Sequence, residues 1–121
     1  MSRAGQSPRL WEVWHARFDF SEGHGYKYRP VIVVGIQEDG TLVVMVTGSA
    51  NKLSLPHDYA IRDWKQAGLE KPSIARIDRI AEIPAGYLGS ARRIGKLSGR
   101  DRDRVKTLLS LATREPGWLE D

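Results

Sequence analysis

The chain has 121 residues, carries 19 Lys and Arg against 15 Asp and Glu for a formal charge of +4, and contains no cysteine. That length makes one domain with a modest core, and without cysteine neither a disulfide framework nor a thiolate metal site is available. The basic balance favours nucleic acid, an anionic membrane surface or an acidic protein as partner.

His15, His24 and His57 are widely spaced and match no ligand pattern, so neither a metal nor a cofactor is expected. No apolar stretch approaches the roughly 20 residues of a membrane-spanning helix. Met1 to Arg9 is polar and lacks the apolar centre of a signal peptide. The expectation is a cytoplasmic protein that does not enter the membrane.

Residues 1–9 read as a loose leader. From Leu10 to Phe18 large groups occupy both alternating faces, which predicts a strand covered on each side, with Trp11 and Trp14 in the core. Ser21 to Gly25 breaks it. Arg29 to Ile36 is a β-branched run, the best candidate for a central strand. Glu38-Asp39-Gly40 is a hairpin signal, and Thr41 to Thr47 is the returning strand. A polar loop follows from Gly48 to Leu55, then a short edge strand from Pro56 to Ile61 and a single helical turn at Trp64 to Gly68. Ser73 to Asp78 and Ile80 to Ile83 read as two closely spaced strands, the second ended by Pro84.

The last element is a helix. Ser98 and Asp101 form a Ser-x-x-Asp cap with Asp103 in the first turn, and Val105, Leu108, Leu109 and Ala112 make one apolar stripe. Arg100 to Arg104 fall on its solvated side. These elements predict a mainly β fold, a small, strongly curled antiparallel sheet or open barrel with helices packed outside.

The candidate chemistry lies at strand ends. His24 stands between two glycines on the loop before the central strand, where an imidazole suits proton transfer or phosphate binding. Arg29 precedes Pro30 at the strand mouth, and its planar fork can grip a phosphate. Thr47 offers a hydroxyl at the end of the returning strand, with Ser49 and Lys52 just beyond. Arg76 and Asp78, two apart on a strand, project from one face as an anion clamp beside a carboxylate, while Arg79 points the other way. Tyr26, Tyr28 and Trp64 are candidates to stack on nucleobases, with Lys27 beside them.

In this order the residues resemble the MazF/PemK (Kid-like) family of toxin endoribonucleases from type II toxin–antitoxin systems. The likeness rests on the strand Leu10 to Phe20 leading to Gly23-His24, on Arg29-Pro30-Val31-Ile32-Val33-Val34, and on Val46-Thr47-Gly48. Ser73 to Asp78, with its Arg-x-Asp, and Gly95-Lys96-Leu97-Ser98 complete it. It spans Leu10 to Ala112. Where the family usually has Glu-Gln after its Gly-His, this chain has Gly25-Tyr26.

The resemblance implies an SH3-like antiparallel barrel over residues 10–115 with a C-terminal helix and short additional helices, followed by a tail at 116–121. It implies a homodimer that cleaves single-stranded RNA sequence-selectively without metal, through attack by the RNA's own 2′-hydroxyl, and that a cognate antitoxin neutralises. The active groups it implies are His24, Arg29, Thr47, Arg76 and Asp78, with RNA contacts from Tyr26, Lys27, Tyr28, Ser49 and Lys52. Base recognition would fall to Asn51 to Ala67. The competing expectation is a catalytically inactive homologue of the same fold that binds RNA or antitoxin.

Overall fold

The structure, a computed structural model, describes residues 7–19, 25–48, 53, 55–84, 88 and 92–113. Six strands and one helix follow in chain order: β1 Glu12–Asp19, β2 Tyr26–Gln37, β3 Gly40–Thr47, β4 Asp58–Ala60, β5 Ile74–Pro84, β6 Arg92–Lys96 and α1 Gly99–Ala112. All pairings are antiparallel. The strands form a single sheet in the order β4-β5-β3-β2-β1-β6, open between β4 and β6. The expected mainly β fold with a terminal helix is present, as an open sheet rather than a strictly closed barrel. Among the described residues α1 is the only α-helix. The segment at Trp64 to Gly68 is a run of turns, with a helical bond from Ala67 N to Asp63 O at 3.0 Å.

The β-branched run makes β2 the longest strand, and it begins earlier than its sequence suggests, at Tyr26. Pro30 therefore lies inside it, opposite His15 of β1. Pairing of β2 with β3 starts only at Val31, so the missing proline N–H leaves the β3 ladder intact. The β2–β3 hairpin turns through Glu38 and Asp39, with Gly40 already in β3. A Cβ at Gly40 would stand 2.6 Å from Oε2 of the exposed Glu82, whose side-chain end would have to move aside.

Alternation along these strands sends apolar side chains to both faces. Val13, Ile32, Val44 and Val46 join Ile77 and Val105 in one core, whereas Trp14, Val31, Val33 and Val43 join Ile83 and Leu88 in another. The helix closes the first. Val105 and Ala112 are buried and Leu108 and Leu109 pack against the same core, as the stripe predicts. Trp14 is buried, and Trp64 packs against the first core instead of standing free to stack on a base.

Two segments depart from the sequence reading. The glycine-punctuated stretch before the helix contains β6, and the two short strands after Ser73 are one strand, β5. That strand is interrupted by a bulge. Met45 faces Arg76 and Val44 faces Ile80, leaving Ile77, Asp78 and Arg79 without β3 partners.

Asp101 does more than complete a cap. It is fully buried, with Ser98 Oγ accepting from its backbone N–H at 3.3 Å. Its carboxylate accepts from the Tyr59 hydroxyl at 2.5 Å and from the backbone N–H groups of Arg62 and Asp63 at 3.0 and 2.8 Å. Burial, and then this bond, push the Tyr59 phenol well above its usual range. Next to it, Asp63 accepts from both Nε and Nη2 of Arg100 at 2.8 Å and from the Ser98 hydroxyl at 2.6 Å. One carboxylate thus ties α1 to β4, and a second ties the helix start to the turn that follows.

Asp101→Ala strands a buried hydroxyl and two N–H groups, and is expected to cost about 2–4 kcal/mol in urea unfolding. The Arg100 fork, and then Ser98, lower the Asp63 carboxyl from its ordinary 3.8 to about 2. A lowered folded pKa gives stability that is complete above the ordinary carboxylate range and is lost as pH falls from about 4 to about 2. Melting temperatures across that window should fall less steeply for Asp63→Asn than for the parent chain.

Candidate functional site

The ends of β2, β3 and β5 meet around a hollow of about 400 Å³ lined by Arg29, Thr47, Arg76 and Arg79, with Met45, Val46 and Leu55 as its apolar wall. Three guanidinium groups in one concavity make an anion site, since Arg stays charged at any working pH and presents paired donors to carboxylate or phosphate oxygens. Arg76 is held from behind. Its Nη1 donates to Asp58 Oδ2 at 2.6 Å, and the same oxygen accepts from Leu55 N at 2.9 Å. Among the described residues no carboxylate pairs with Arg29 or Arg79.

A second hollow of about 300 Å³ shares Arg29, Val46 and Thr47 with the first, so the two make one groove with Arg29 and Thr47 at the junction. Its far wall comes from Tyr28 of β2, His15 of β1 and the segment 68–73, including Glu70 and Lys71. Tyr28 is 53% exposed.

Of the residues singled out in the sequence, Arg29, Thr47 and Arg76 converge on one hollow and Tyr28 lines its neighbour. Asp78 lines neither. Its Oδ2 accepts from the His57 backbone N–H at 2.8 Å and its Oδ1 lies 2.8 Å from His57 Nδ1. The expectation that Arg79 faces away from the pair Arg76 and Asp78 is corrected by the bulge. Strict alternation fails across residues 77–79, and Arg79 joins Arg76 in the hollow. His24, Ser49 and Lys52 lie outside the described residues. Tyr26 and Lys27 are described only in the backbone, where they pair with Asp19 and Phe18.

Sequence reasoning missed Arg79, Lys71 and the two residues His57 and Asp58 that grip β5. A bulge leaves no mark in a pattern of alternation. Lys71 and Thr47 are brought together by the return of the chain from the turn at 62–68. His57-Asp58 at the head of a short edge strand was the one legible signal, as two polar side chains facing the Arg-x-Asp that the strand crosses. Among the described residues no three His, Asp or Glu side chains gather as a metal-ligand set, and no helix is long and apolar enough to cross a membrane.

Known structures share this architecture. The chain is similar to Mycobacterium tuberculosis toxin MazF-mt6, with TM-score 0.63 and 20% identity over 85% of this chain and 96% of that one. It is similar to a MazE–MazF crystal structure from Deinococcus radiodurans, with TM-score 0.69 and 12% identity over 89% and 97% of the chains. It also matches a mycobacterial endoribonuclease in complex with its cognate antitoxin, with TM-score 0.59 and 17% identity over 89% and 95%. No curated protein sequence matches the chain significantly. At those identities the structures establish the fold, and the sequence itself supplies the lineage. Residues 9–113 match the PemK-like, MazF-like toxins, and the chain belongs to that family of type II toxin–antitoxin toxins.

Proposed function

We propose that this chain is a cytoplasmic toxin, working as a homodimer, that cleaves single-stranded RNA sequence-selectively without metal and is neutralised by a cognate antitoxin. The observation that carries the reading is the convergence of Arg29, Thr47 and Arg76 on one hollow that also holds Arg79. Membership of the toxin family supports it, as do the neighbours named as an endoribonuclease and as toxin–antitoxin complexes.

The chemistry suits this arrangement. The RNA 2′-oxygen attacks the adjacent phosphorus, the bond from phosphorus to the 5′-oxygen breaks, and the products are a 2′,3′-cyclic phosphate and a 5′-hydroxyl. DNA lacks the nucleophile, which restricts the substrate to RNA. Charge builds on the phosphoryl oxygens in the transition state, where preorganised cations give their largest return. Arg29, Arg76 and Arg79 are placed for those oxygens, and Thr47 donates its hydroxyl to one of them. None of the arginines is a literal acid, because guanidinium hardly deprotonates. His24 is assigned the proton for the leaving 5′-oxygen.

Asp78 is assigned as the base for the 2′-hydroxyl. Its contact with His57 sets up a second route, in which the carboxylate orients the imidazole and the imidazole takes the proton, although neither side chain lines the hollows. The two routes separate in the variants. Direct action spares His57→Gln, whereas relay makes His57→Gln as inactive as Asp78→Asn.

On a long defined RNA, Arg29→Ala and Asp78→Asn are each expected to lose cleavage by at least about 100-fold. Their circular dichroism should match the parent's, and a chelator should leave parental cleavage intact. Undiminished cutting by both variants overturns the assignment. A parent protein that binds single-stranded RNA but cuts none is the inactive homologue.

A further inference from the structure

We propose that the second hollow is a nucleotide subsite for the residue next to the scissile phosphate, in which Glu70 reads the base edge, Lys71 meets the backbone phosphate and Tyr28 is the stacking platform. The inference rests on the RNA-cleaving reading and moves recognition from residues 51–67 to the segment 68–73.

Position is the first argument. The hollow shares Arg29 and Thr47 with the anion site, so a strand whose phosphate sits among the arginines runs its neighbouring nucleotide into it. A volume of about 300 Å³ lies at the small end of ligand pockets, which suits a single nucleotide. The exposed Tyr28 ring on its wall offers a base a π-face.

Lys71 supplies the second argument. Its side chain lies across Gly48, directly after Thr47. A Cβ on Gly48 would collide with Lys71 Cε and stand 3.1 Å from Nζ. The ammonium thus lies at the end of β3, beside the signature threonine and within the hollow. The segment that carries it is pinned at both ends. Gly68, at φ +95°, presses on β6 so closely that a Cβ would stand 2.6 Å from Ile94 O, and Leu69 N donates to Trp64 O at 3.0 Å. At the other end Ser73 Oγ donates to Lys71 O at 2.8 Å and Ile61 N to Ser73 O at 3.0 Å. Pro72 further restricts Lys71 to extended backbone. A wall fixed in this way loses little freedom when a ligand arrives.

Glu70 gives the site its selectivity. Among the described residues it is the only carboxylate lining either hollow, and it is exposed there, so a ligand's N–H donors replace water on it. Ionised, it has acceptors only. Guanine is the base that offers two adjacent donors, N1–H and N2–H₂, on its Watson–Crick edge. Adenine and cytosine offer one amino group beside an acceptor, and uracil offers one imino donor between two carbonyls. The chemistry therefore selects guanine.

The test uses the full chain and two uncleavable single-stranded oligonucleotides bearing 2′-O-methyl groups, one with guanines and one with adenines in their place. Binding is followed by fluorescence anisotropy across a salt titration. The parent should prefer the guanine strand by about tenfold, the scale of one good bidentate contact, and Glu70→Gln should abolish that preference. Lys71→Ala should weaken both strands alike and lower the salt slope by about one. An unchanged preference in Glu70→Gln, or an unchanged slope in Lys71→Ala, overturns the subsite while leaving cleavage of a long RNA by the parent as evidence for the function. A parent that neither binds these strands nor cuts a long RNA overturns the function itself.

Discussion

Everything at the site depends on a crossed grip between the start of β4 and the middle of β5. Arg76 of β5 reaches Asp58, and His57 reaches back to Asp78 of β5. Asp58's side chain is only 1% exposed, and a carboxylate so deeply placed requires a charged partner, since removing one member of a buried pair costs far more than the pair contributes. The pairing is thus less a source of stability than a device for position. It fixes Nη1 of Arg76 at the hollow and, through the same oxygen, seats Leu55 as a wall. It also holds a three-residue edge strand that could not persist on its own backbone bonds.

That strand links the site to the helix. Asp58 and Tyr59 point to opposite faces of β4, so consecutive side chains serve opposite sides of the sheet. Asp58 grips the arginine of the anion site, and Tyr59 bonds to the buried Asp101 of α1. The same Asp101 holds the turn that begins at Arg62, and that turn leads directly into Gly68 and the wall of the second hollow. The geometry of both hollows therefore passes through β4, by Arg76 on one side and by Asp101 on the other. A helix that looks in sequence like an outer cover is the anchor for the segment that carries Glu70 and Lys71.

The sequence is legible where one local rule decides the outcome. The β-branched run of β2, the Asp-Gly hairpin and the apolar stripe of α1 each commit to one conformation, and each is found. The meeting of Arg29, Thr47 and Arg76 at one hollow is legible because they sit in regular positions within familiar motifs. The turn of Arg79 into that hollow and the engagement of Asp78 by His57 are not, because residues 77–79, without β3 partners, break the period on which any inference about faces depends. β6 hides behind its glycine, which serves close packing here. A Cβ on Gly95 would collide with Ala67 O. Asp101 satisfies a capping pattern in sequence, yet its depth and its three partners from Tyr59 to Asp63 are long-range facts no local pattern records. Lys71 belongs with them, since its neighbour Gly48 lies far back in the chain.

The division of charge between the two hollows bears on what distinguishes a substrate from an inhibitor. Arginines bind the phosphates of RNA and the carboxylates of an acidic peptide by the same paired donors, so the first hollow by itself cannot favour either. Glu70 breaks that equivalence. Toward a base it is an acceptor for N–H donors, and toward an acidic side chain it is a like charge, which is the repulsive element that selectivity commonly requires. Glu70 and Lys71 set an anion and a cation side by side on one wall, a pairing that suits the proposed alternation of donor-rich base with phosphate. Should the groove take RNA as proposed, Glu70 would disfavour an acidic segment in the second hollow, against the attraction of Lys71 on the same wall.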